Sequence, residues 1–205
     1  MSERLPVIAV VGRPNVGKST FFNRVVGSRV AIVDDQPGVT RDRNFSKADW
    51  AGHHFFIVDT GGIVEDSDET MDKAIRQQAM LAVAEADVIL FLVDTKEGVQ
   101  PLDQKLAEVL RKTQTPVLLV ANKADNLPYN QDHQEFWSLG IGEPIPVSAL
   151  SGKGSGDLLD LVLEAIPEGA AEVYEEDTIR VAVVGKPNVG KSSFVNRLIG
   201  EERVV

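Results

Sequence analysis

Short apolar runs alternate along this chain with stretches whose apolar residues recur at helical spacing. Such alternation predicts strands joined by crossover helices, and therefore a mainly parallel sheet. Several of the runs are continuously apolar, as in strands that helices cover on both faces. The predicted strands are Val7–Val11, Phe45–Trp50, His54–Asp59, Asp87–Val93, Pro116–Ala121 and Ile145–Val147.

The second and third of these strands lie too close together for a helix between them. We therefore expect them to form an antiparallel hairpin that turns near Ala51 and Gly52. The 3.6-residue period predicts four helices, around residues 21–26, 71–86, 102–110 and 158–166. The pattern as a whole predicts an α/β fold with three layers, in which a six-stranded, mostly parallel sheet has one antiparallel edge strand.

The chain contains an internal repeat. Residues 10–19 recur almost unchanged as residues 183–192, about one domain length later, and Asn23-Arg24 recurs as Asn196-Arg197. We therefore expect a complete domain over residues 1–167, a linker over 168–178, and the incomplete start of a second copy over 179–205. The linker is acidic, which is typical of a solvated connection, and a regulatory acidic contact is the alternative.

A phosphate-binding loop follows the first strand and opens the first helix. Its two glycines, Gly12 and Gly17, let backbone N–H groups curl around phosphate oxygens, while Lys18 supplies charge and Ser19 a hydroxyl for Mg²⁺. This motif specifies the fold class as that of the P-loop nucleotide triphosphatases. The candidate phosphate-binding residues are Gly12, Arg13, Pro14, Asn15, Val16, Gly17, Lys18, Ser19 and Thr20.

The second copy repeats this loop by motif only. Residues 179–205 lack the other expected motifs and are too few to bury their own strand, so we expect this loop to be nonfunctional in the present chain. Its candidate residues are Gly185, Lys186, Pro187, Asn188, Val189, Gly190, Lys191 and Ser192.

Two loops predict the choice of base. Asn122, Lys123 and Asp125 follow an apolar strand, and the Asp125 carboxylate can accept hydrogen bonds from N1–H and the 2-amino group of guanine, which adenine lacks. Asn122 can tie this loop to the phosphate loop, and the stem of Lys123 can cover the base. A backbone N–H in the segment Ser148, Ala149 and Leu150 fits the guanine 6-oxygen.

Two further loops are expected to sense the γ-phosphate. Asp59 ends a strand and can hold Mg²⁺ through a water, Gly62 can offer its N–H to the phosphate, and Thr40 is the candidate second hydroxyl on the metal. The expected Mg²⁺ set is thus Ser19, Thr40 and Asp59. The candidate residues of the loop that begins at Asp59 are Asp59, Thr60, Gly61, Gly62 and Ile63.

These motifs, in this order, resemble a translation-factor-type GTPase. The repeated loop, with Gly-Arg-Pro-Asn-Val-Gly-Lys-Ser at 12–19 and Asp-Thr-Gly-Gly-Ile at 59–63, resembles the Der family, also called EngA. The resemblance implies a tandem GTPase that acts in assembly of the large ribosomal subunit, with a KH-like domain after the second GTPase domain. It covers all 205 residues, which are fewer than half of such a protein.

One position departs from Ras-type chemistry. Ile63 stands where Ras-type enzymes carry a glutamine that orients water. The resemblance implies that K⁺, bound through Asn15 and backbone of the loop around Thr40, supplies charge between the phosphates instead. We therefore expect catalysis to rest on Asn15, Lys18, Thr40 and Gly62.

Two alternatives to a GTPase remain. A nucleotide-dependent interaction module with negligible hydrolysis is suggested by Ile63, and an ATP-using P-loop enzyme is disfavoured by Asp125.

Charge and composition narrow the setting. The formal net charge of −10 argues against a broad basic surface, so no direct nucleic-acid surface is expected in this segment. The chain has no cysteine, which excludes thiolate metal sites and fits a reducing cytoplasm. The apolar run Leu5–Val11 is too short to span a bilayer, so we expect no membrane insertion.

Overall fold

The computed structural model describes residues 2–3, 5–27, 45–60, 79–80, 82–125, 134–170 and 173–174, together with the isolated positions 194 and 197. The strands within these ranges are β1 (Ser2–Glu3), β2 (Val7–Val11), β3 (Phe45–Trp50), β4 (His53–Asp59), β5 (Val88–Asp94), β6 (Val117–Asn122), β7 (Ile145–Pro146) and β8 (Val173–Tyr174). The helices are α1 (Lys18–Gly27), α2 (Pro101–Leu110), a 3₁₀ helix (Gln134–Leu139) and α3 (Ser155–Ala165).

Six of the strands form one sheet in the order β3-β4-β2-β5-β6-β7. Every pair in it is parallel except β3 with β4, which form the antiparallel hairpin around Ala51 and Gly52. The predicted α/β fold with one antiparallel edge strand is therefore confirmed. Because β2, β4, β5 and β6 run in the same direction, the loops that follow them leave from the same edge of the sheet.

The sheet separates two hydrophobic clusters. Alternate residues of β2 point to opposite faces, with Ile8 and Val10 in one cluster and Ala9 and Val11 in the other. The first cluster includes apolar residues of α1 and α3, and the second includes those of α2. Strand β5 lies at the centre of the sheet and is buried along its whole length, which is why its sequence is apolar without alternation.

The strand ends differ slightly from those predicted. Strand β5 extends to Asp94 and β6 to Asn122, so each carries a polar residue into the sheet edge where the loops begin. Helix α2 begins at Pro101, and the N–H of Gln100 donates to Asp103 Oδ2 at 3.0 Å. Of the predicted helix at 71–86, residues 79–80 and 82–85 are helical, and residues 71–78 and 81 lie outside the described residues.

Two elements were not predicted. The 3₁₀ helix lies in a mostly polar stretch and packs through the buried residues Phe136 and Leu139 into the cluster that holds α2. The other is a two-stranded antiparallel sheet in which β1 pairs with β8, with Ser2 opposite Tyr174 and Glu3 opposite Val173. Strand β8 falls inside the segment expected to be a solvated linker, so part of that segment is joined to the N-terminus by backbone pairing. Among the described residues, no helix is both long and apolar enough to cross a bilayer.

Candidate functional site

The first loop of the site connects β2 to α1 and is tightly packed. A Cβ added at Gly12 would lie 2.5 Å from the carbonyl oxygen of Leu92, and one at Gly17 would collide with the side-chain amide of Asn122. Gly17 also has a φ of 95°, which favours glycine. Asn15 has a φ of 66° and is exposed at the tip of the loop. Both glycines are therefore required where β5 and β6 approach this loop.

Lys18 begins α1 and is buried, with 8% of its surface exposed. Its Nζ donates a hydrogen bond of 3.0 Å to the backbone carbonyl of Arg13, at the other end of the same loop. The ammonium group therefore spans the concave side of a loop at a helix N-terminus, where backbone N–H groups and the helix dipole favour an anion.

The Arg13 side chain forms ion pairs with the loop before α2 and with the first turn of α2. Its Nη1 lies 2.7 Å from Glu97 Oε2, and its Nε lies 3.3 Å from Oδ2 of the fully buried Asp103 at the start of α2. Burial raises the pKa of Asp103, and the hydrogen bond from Gln100 and the charge of Arg13 act in the opposite direction. Arg13 thus anchors the phosphate loop to α2, a role that the motif alone did not indicate.

Ser19 and Asp59 meet where β4 ends beside α1. The Ser19 hydroxyl donates to Asp59 Oδ2 at 2.7 Å, and the Asp59 residue is 4% exposed. Thr60 is also buried, and its hydroxyl donates to the Val10 carbonyl at 2.8 Å. A hydroxyl whose proton points to a carboxylate directs its oxygen lone pairs elsewhere, and hard oxygen ligands of this kind suit Mg²⁺.

A magnesium ion that binds together with a phosphate group takes few protein ligands, and phosphate oxygens and water complete its coordination. Within the described ranges, no three His, Cys, Asp or Glu side chains form a cluster that could hold a metal by themselves. The pair of Ser19 and Asp59 supplies oxygen ligands that fit a metal shared with a bound phosphate.

Asn122 ends β6 and connects three loops. Its Nδ2 donates to the carbonyl of Val16 in the phosphate loop at 2.7 Å, which is the tie expected from the sequence. Its Oδ1 accepts from the backbone N–H of Ala149 at 2.9 Å, and the residue is 2% exposed. One of the N–H groups expected to face the guanine 6-oxygen is thus already bonded to Asn122.

Asp125 is held at both oxygens of its carboxylate. Ser148 donates its hydroxyl to Oδ1, and Lys96 Nζ lies 3.1 Å from Oδ2. The hydrogen bond from Ser148, followed by that from Lys96, lowers the pKa of Asp125 below 3.8, so the group is ionised at neutral pH. Asp125 remains 24% exposed in its side chain, which leaves it open to a ligand.

Lys123, in the loop after β6, forms an ion pair with Asp94, the last residue of β5, with Nζ 2.5 Å from Oδ2. Sequence reasoning missed Lys96 and Asp94 because it ended β5 at Val93. An acidic and a basic residue directly after a buried strand was the available signal, at the same sheet edge as the recognised motifs.

Several predicted residues lie outside the described residues. These are Thr40, Gly61, Gly62 and Ile63, together with the whole second loop, residues 185–192. The remaining predicted residues converge on the edge of the sheet where β2, β4, β6 and β7 end. Pro14 and Thr20 are exposed there, and Leu150 is 76% exposed.

A strand, phosphate loop and helix, joined through Asn122 to a loop that carries an ionised aspartate, define a P-loop GTPase domain. A family model described as "50S ribosome-binding GTPase" matches residues 7–123 and 180–205. The chain belongs to this family.

Curated relatives named GTPase Der are similar to nearly the whole chain. The protein from Gemmatimonas aurantiaca is 60% identical over 201 residues, covering 98% of this chain and 45% of the relative. The protein from Halalkalibacterium halodurans is 55% identical over 200 residues, covering 98% of this chain and 46% of the relative. The chain therefore spans about half the length of the curated relatives it matches.

Solved structures share the fold. A structure of Era in complex with MgGDPNP and nucleotides of 16S ribosomal RNA has a TM-score of 0.63 and 30% identity, covering 85% of this chain and 61% of that one. Aquifex aeolicus Era bound to GDP.AlF4- has a TM-score of 0.59 and 29% identity, covering 88% and 62%. The FeoB G domain of Methanococcus jannaschii, at 24% identity and a TM-score of 0.56 over 80% and 98%, shows likeness of fold alone.

Proposed function

We propose that this chain binds GTP with Mg²⁺ and hydrolyses it, as a switch domain of a longer protein that acts in assembly of the large ribosomal subunit. The observation that carries the proposal is the placement of Asp125. Asp125 lies in the loop after β6, and its ionised carboxylate accepts hydrogen bonds from Ser148 and Lys96. Asn122, the last residue of β6, links that loop to the phosphate loop. A carboxylate in a loop tied to a phosphate loop can recognise a base that presents two adjacent N–H donors, as guanine does.

In this proposal the phosphates bind in the loop from Gly12 to Ser19. Lys18, which here donates to the Arg13 carbonyl, would instead contact the β- and γ-phosphates. The Ser19 hydroxyl and Asp59 would hold Mg²⁺, with Thr40 as the further hydroxyl. Mg²⁺, when bound, offsets negative charge on the phosphate oxygens.

Base recognition requires a change of partner at Asp125. Guanine N1–H and the 2-amino group need both carboxylate oxygens, one of which faces Lys96 and the other Ser148. Lys96 is 60% exposed, so its ammonium can return to water at little cost when the base arrives. Ser148 can remain, because each carboxylate oxygen accepts more than one hydrogen bond.

Hydrolysis in this proposal proceeds without a water-orienting glutamine, since Ile63 occupies that position. We assign the compensating charge to K⁺ bound beside the phosphates at Asn15, which is exposed at the tip of the phosphate loop. Gly62 supplies an N–H to the γ-phosphate.

The domain organisation follows from the internal repeat. We assign residues 1–167 to the first GTPase domain, 168–178 to an acidic linker and 179–205 to the start of a second domain. The ribosomal role is supported by the description of the family, 50S ribosome-binding GTPase. The acidic balance of this segment favours a contact with ribosomal RNA through other parts of the protein, and we propose a cytoplasmic location.

Single-turnover release of phosphate from GTP, with enzyme in excess and in K⁺ or Na⁺ buffer, tests this function. We expect the unaltered chain to release phosphate above background and to do so faster in K⁺ than in Na⁺. In Asn15→Ala we expect the rate to be the same in both ions. Release equal to background would favour the alternative, an interaction module that binds without hydrolysis. Equal rates in both ions for the unaltered chain would contradict the K⁺ assignment while leaving GTP hydrolysis intact.

Titration with GDP tests which phosphate loop is used. We expect one nucleotide per chain, binding that Lys18→Ala abolishes, and no change in Lys191→Ala, which is the matched substitution in the repeated loop. Two nucleotides per chain, or a loss of binding in Lys191→Ala, would contradict the expectation that the second loop is nonfunctional in this chain.

A further inference from the structure

Arg24 connects the phosphate-loop helix to the loop that follows β7. It lies in α1, about 1.7 turns after Lys18, and it donates from Nε to the carbonyl of Ala149 and from Nη2 to the carbonyl of Leu150. The same guanidinium packs against Gly152, where an added Cβ would lie 2.7 Å from Nη1. Gly152 has a φ of 89°, so the loop turns tightly around the end of the arginine.

The first of these hydrogen bonds fixes the direction of a neighbouring N–H. The carbonyl of Ala149 and the N–H of Leu150 belong to one peptide group, which is planar and trans, so the two bonds point in opposite directions. A guanidinium that holds the carbonyl on the side of α1 therefore turns the Leu150 N–H away from α1. Donation to the carbonyl also polarises the peptide group and strengthens its N–H as a donor.

The N–H of Ala149 is engaged differently, because it donates to Asn122 Oδ1 at 2.9 Å. Two loop-ordering contacts thus act on two consecutive peptide groups: Asn122 holds the N–H of the first, and Arg24 holds the carbonyl of the second. The N–H that this arrangement presents to a ligand is that of Leu150, a residue that is 76% exposed.

We propose that Arg24 is a positioning residue for base recognition: it orients the Leu150 N–H toward the 6-oxygen of guanine. This inference rests on the proposed function, in which the loop from Ser148 to Leu150 receives that oxygen. Arg24 does so from the helix that also carries Lys18 and Ser19, so one rigid element sets the distance between the phosphate end and the base end of the site. The pair Asn23-Arg24 recurs as Asn196-Arg197 in the internal repeat.

Arginine suits this role because its planar guanidinium presents donors at fixed angles to two acceptors. A lysine offers one ammonium group on a flexible stem, so it can reach one carbonyl but cannot fix the plane of the loop. The conservative substitution therefore separates orientation from charge.

The test compares GDP with 6-thioguanosine diphosphate by titration calorimetry. The analogue keeps N1–H and the 2-amino group, which face Asp125, and replaces the 6-oxygen with sulfur, a weaker acceptor. We expect the unaltered chain to prefer GDP. Arg24→Ala should weaken the binding of GDP about tenfold and that of the analogue by about twofold or less, so that the preference for GDP narrows. Arg24→Lys should keep only part of the preference seen in the unaltered chain.

Arg111→Ala is the matched control. Arg111 also donates to a backbone carbonyl, that of Leu139 at 3.3 Å, and packs against a glycine, Gly140. It directly follows the last residue of α2 and does not line the site. We expect this variant to leave the preference unchanged. Thermal unfolding with and without GDP checks that each variant is folded. If Arg24→Ala does not fold, the comparison is made with Arg24→Lys.

The outcomes separate the two proposals. Equal weakening of both ligands in the Arg24 variants, or no weakening of either, would overturn the positioning role and leave guanine recognition standing. An unaltered chain that binds both ligands equally would also overturn the positioning role, because the 6-oxygen would then not be recognised, while the contacts of Asp125 would stand. An unaltered chain that binds neither ligand would contradict the proposed guanine-nucleotide site itself.

Discussion

The side-chain amide of Asn122 donates a hydrogen bond of 2.7 Å to the backbone carbonyl of Val16, 106 residues earlier in the chain. The same amide accepts from Ala149, so one buried side chain joins the phosphate loop, the end of β6 and the loop after β7. These two hydrogen bonds therefore hold together the loops that form the proposed site.

Asn122→Ala should both destabilise the fold and weaken nucleotide binding. The change leaves the Val16 carbonyl and the Ala149 N–H buried without their partner, at about 1–3 kcal/mol for each unsatisfied group. Urea unfolding of the nucleotide-free chain measures the first effect, and GDP titration measures the second. Unchanged unfolding would mean that water replaces the amide and that Asn122 has no structural role.

Gly17→Ala should cost more stability than Gly52→Ala. Both glycines have positive φ, 95° and 83°, so each alanine incurs about 1–2 kcal/mol of backbone strain. A Cβ at Gly52 meets open space, whereas one at Gly17 collides with the Asn122 amide. Urea unfolding of the two variants separates the collision from the strain, and equal losses would show that Asn122 yields freely.

Arg13→Ala should destabilise the chain by about 3–5 kcal/mol, because it leaves the fully buried Asp103 without its charged partner. Asp103→Asn in the same chain should recover part of that loss, since a neutral amide is less costly to bury than a carboxylate. A double-mutant cycle by chemical unfolding measures the coupling. Additive losses would indicate that Arg13 and Asp103 do not interact.

Asp125→Asn should exchange base preference. The amide cannot accept from both N1–H and the 2-amino group, but it can donate to the 2-oxo group of xanthine, so GTP should weaken and xanthosine triphosphate should improve. Competition between the two nucleotides measures the exchange, and Lys96→Ala serves as a control that removes a neighbour of the same carboxylate. Retained preference for GTP in Asp125→Asn would overturn the assignment of the base.

Much of the site was predictable because its motifs are local. A phosphate loop between a strand and a helix, and the Asn-Lys-x-Asp motif at the end of an apolar strand, can be recognised from consecutive residues. The structure brings Lys18, Ser19, Asp59 and Asn122 to one sheet edge. Thr40, Gly62 and Ile63 stay predictions, because they lie outside the described residues. The 3₁₀ helix was missed because only Phe136 and Leu139 anchor it, without a repeating apolar period.

The sequence by itself determined the order of strands along the chain, the parallel fold and the residue types of each loop, because hydrophobic periodicity and short motifs depend on neighbours in the chain. Only the tertiary structure decided that Arg13 would pair with Glu97 and Asp103, 84 and 90 residues away, and that Arg24 would hold the loop after β7. Those contacts depend on which strands are adjacent, since β2 lies between β4 and β5 rather than beside β3. Periodicity shows which face of a strand is buried, but it carries no information about which strand lies next to it.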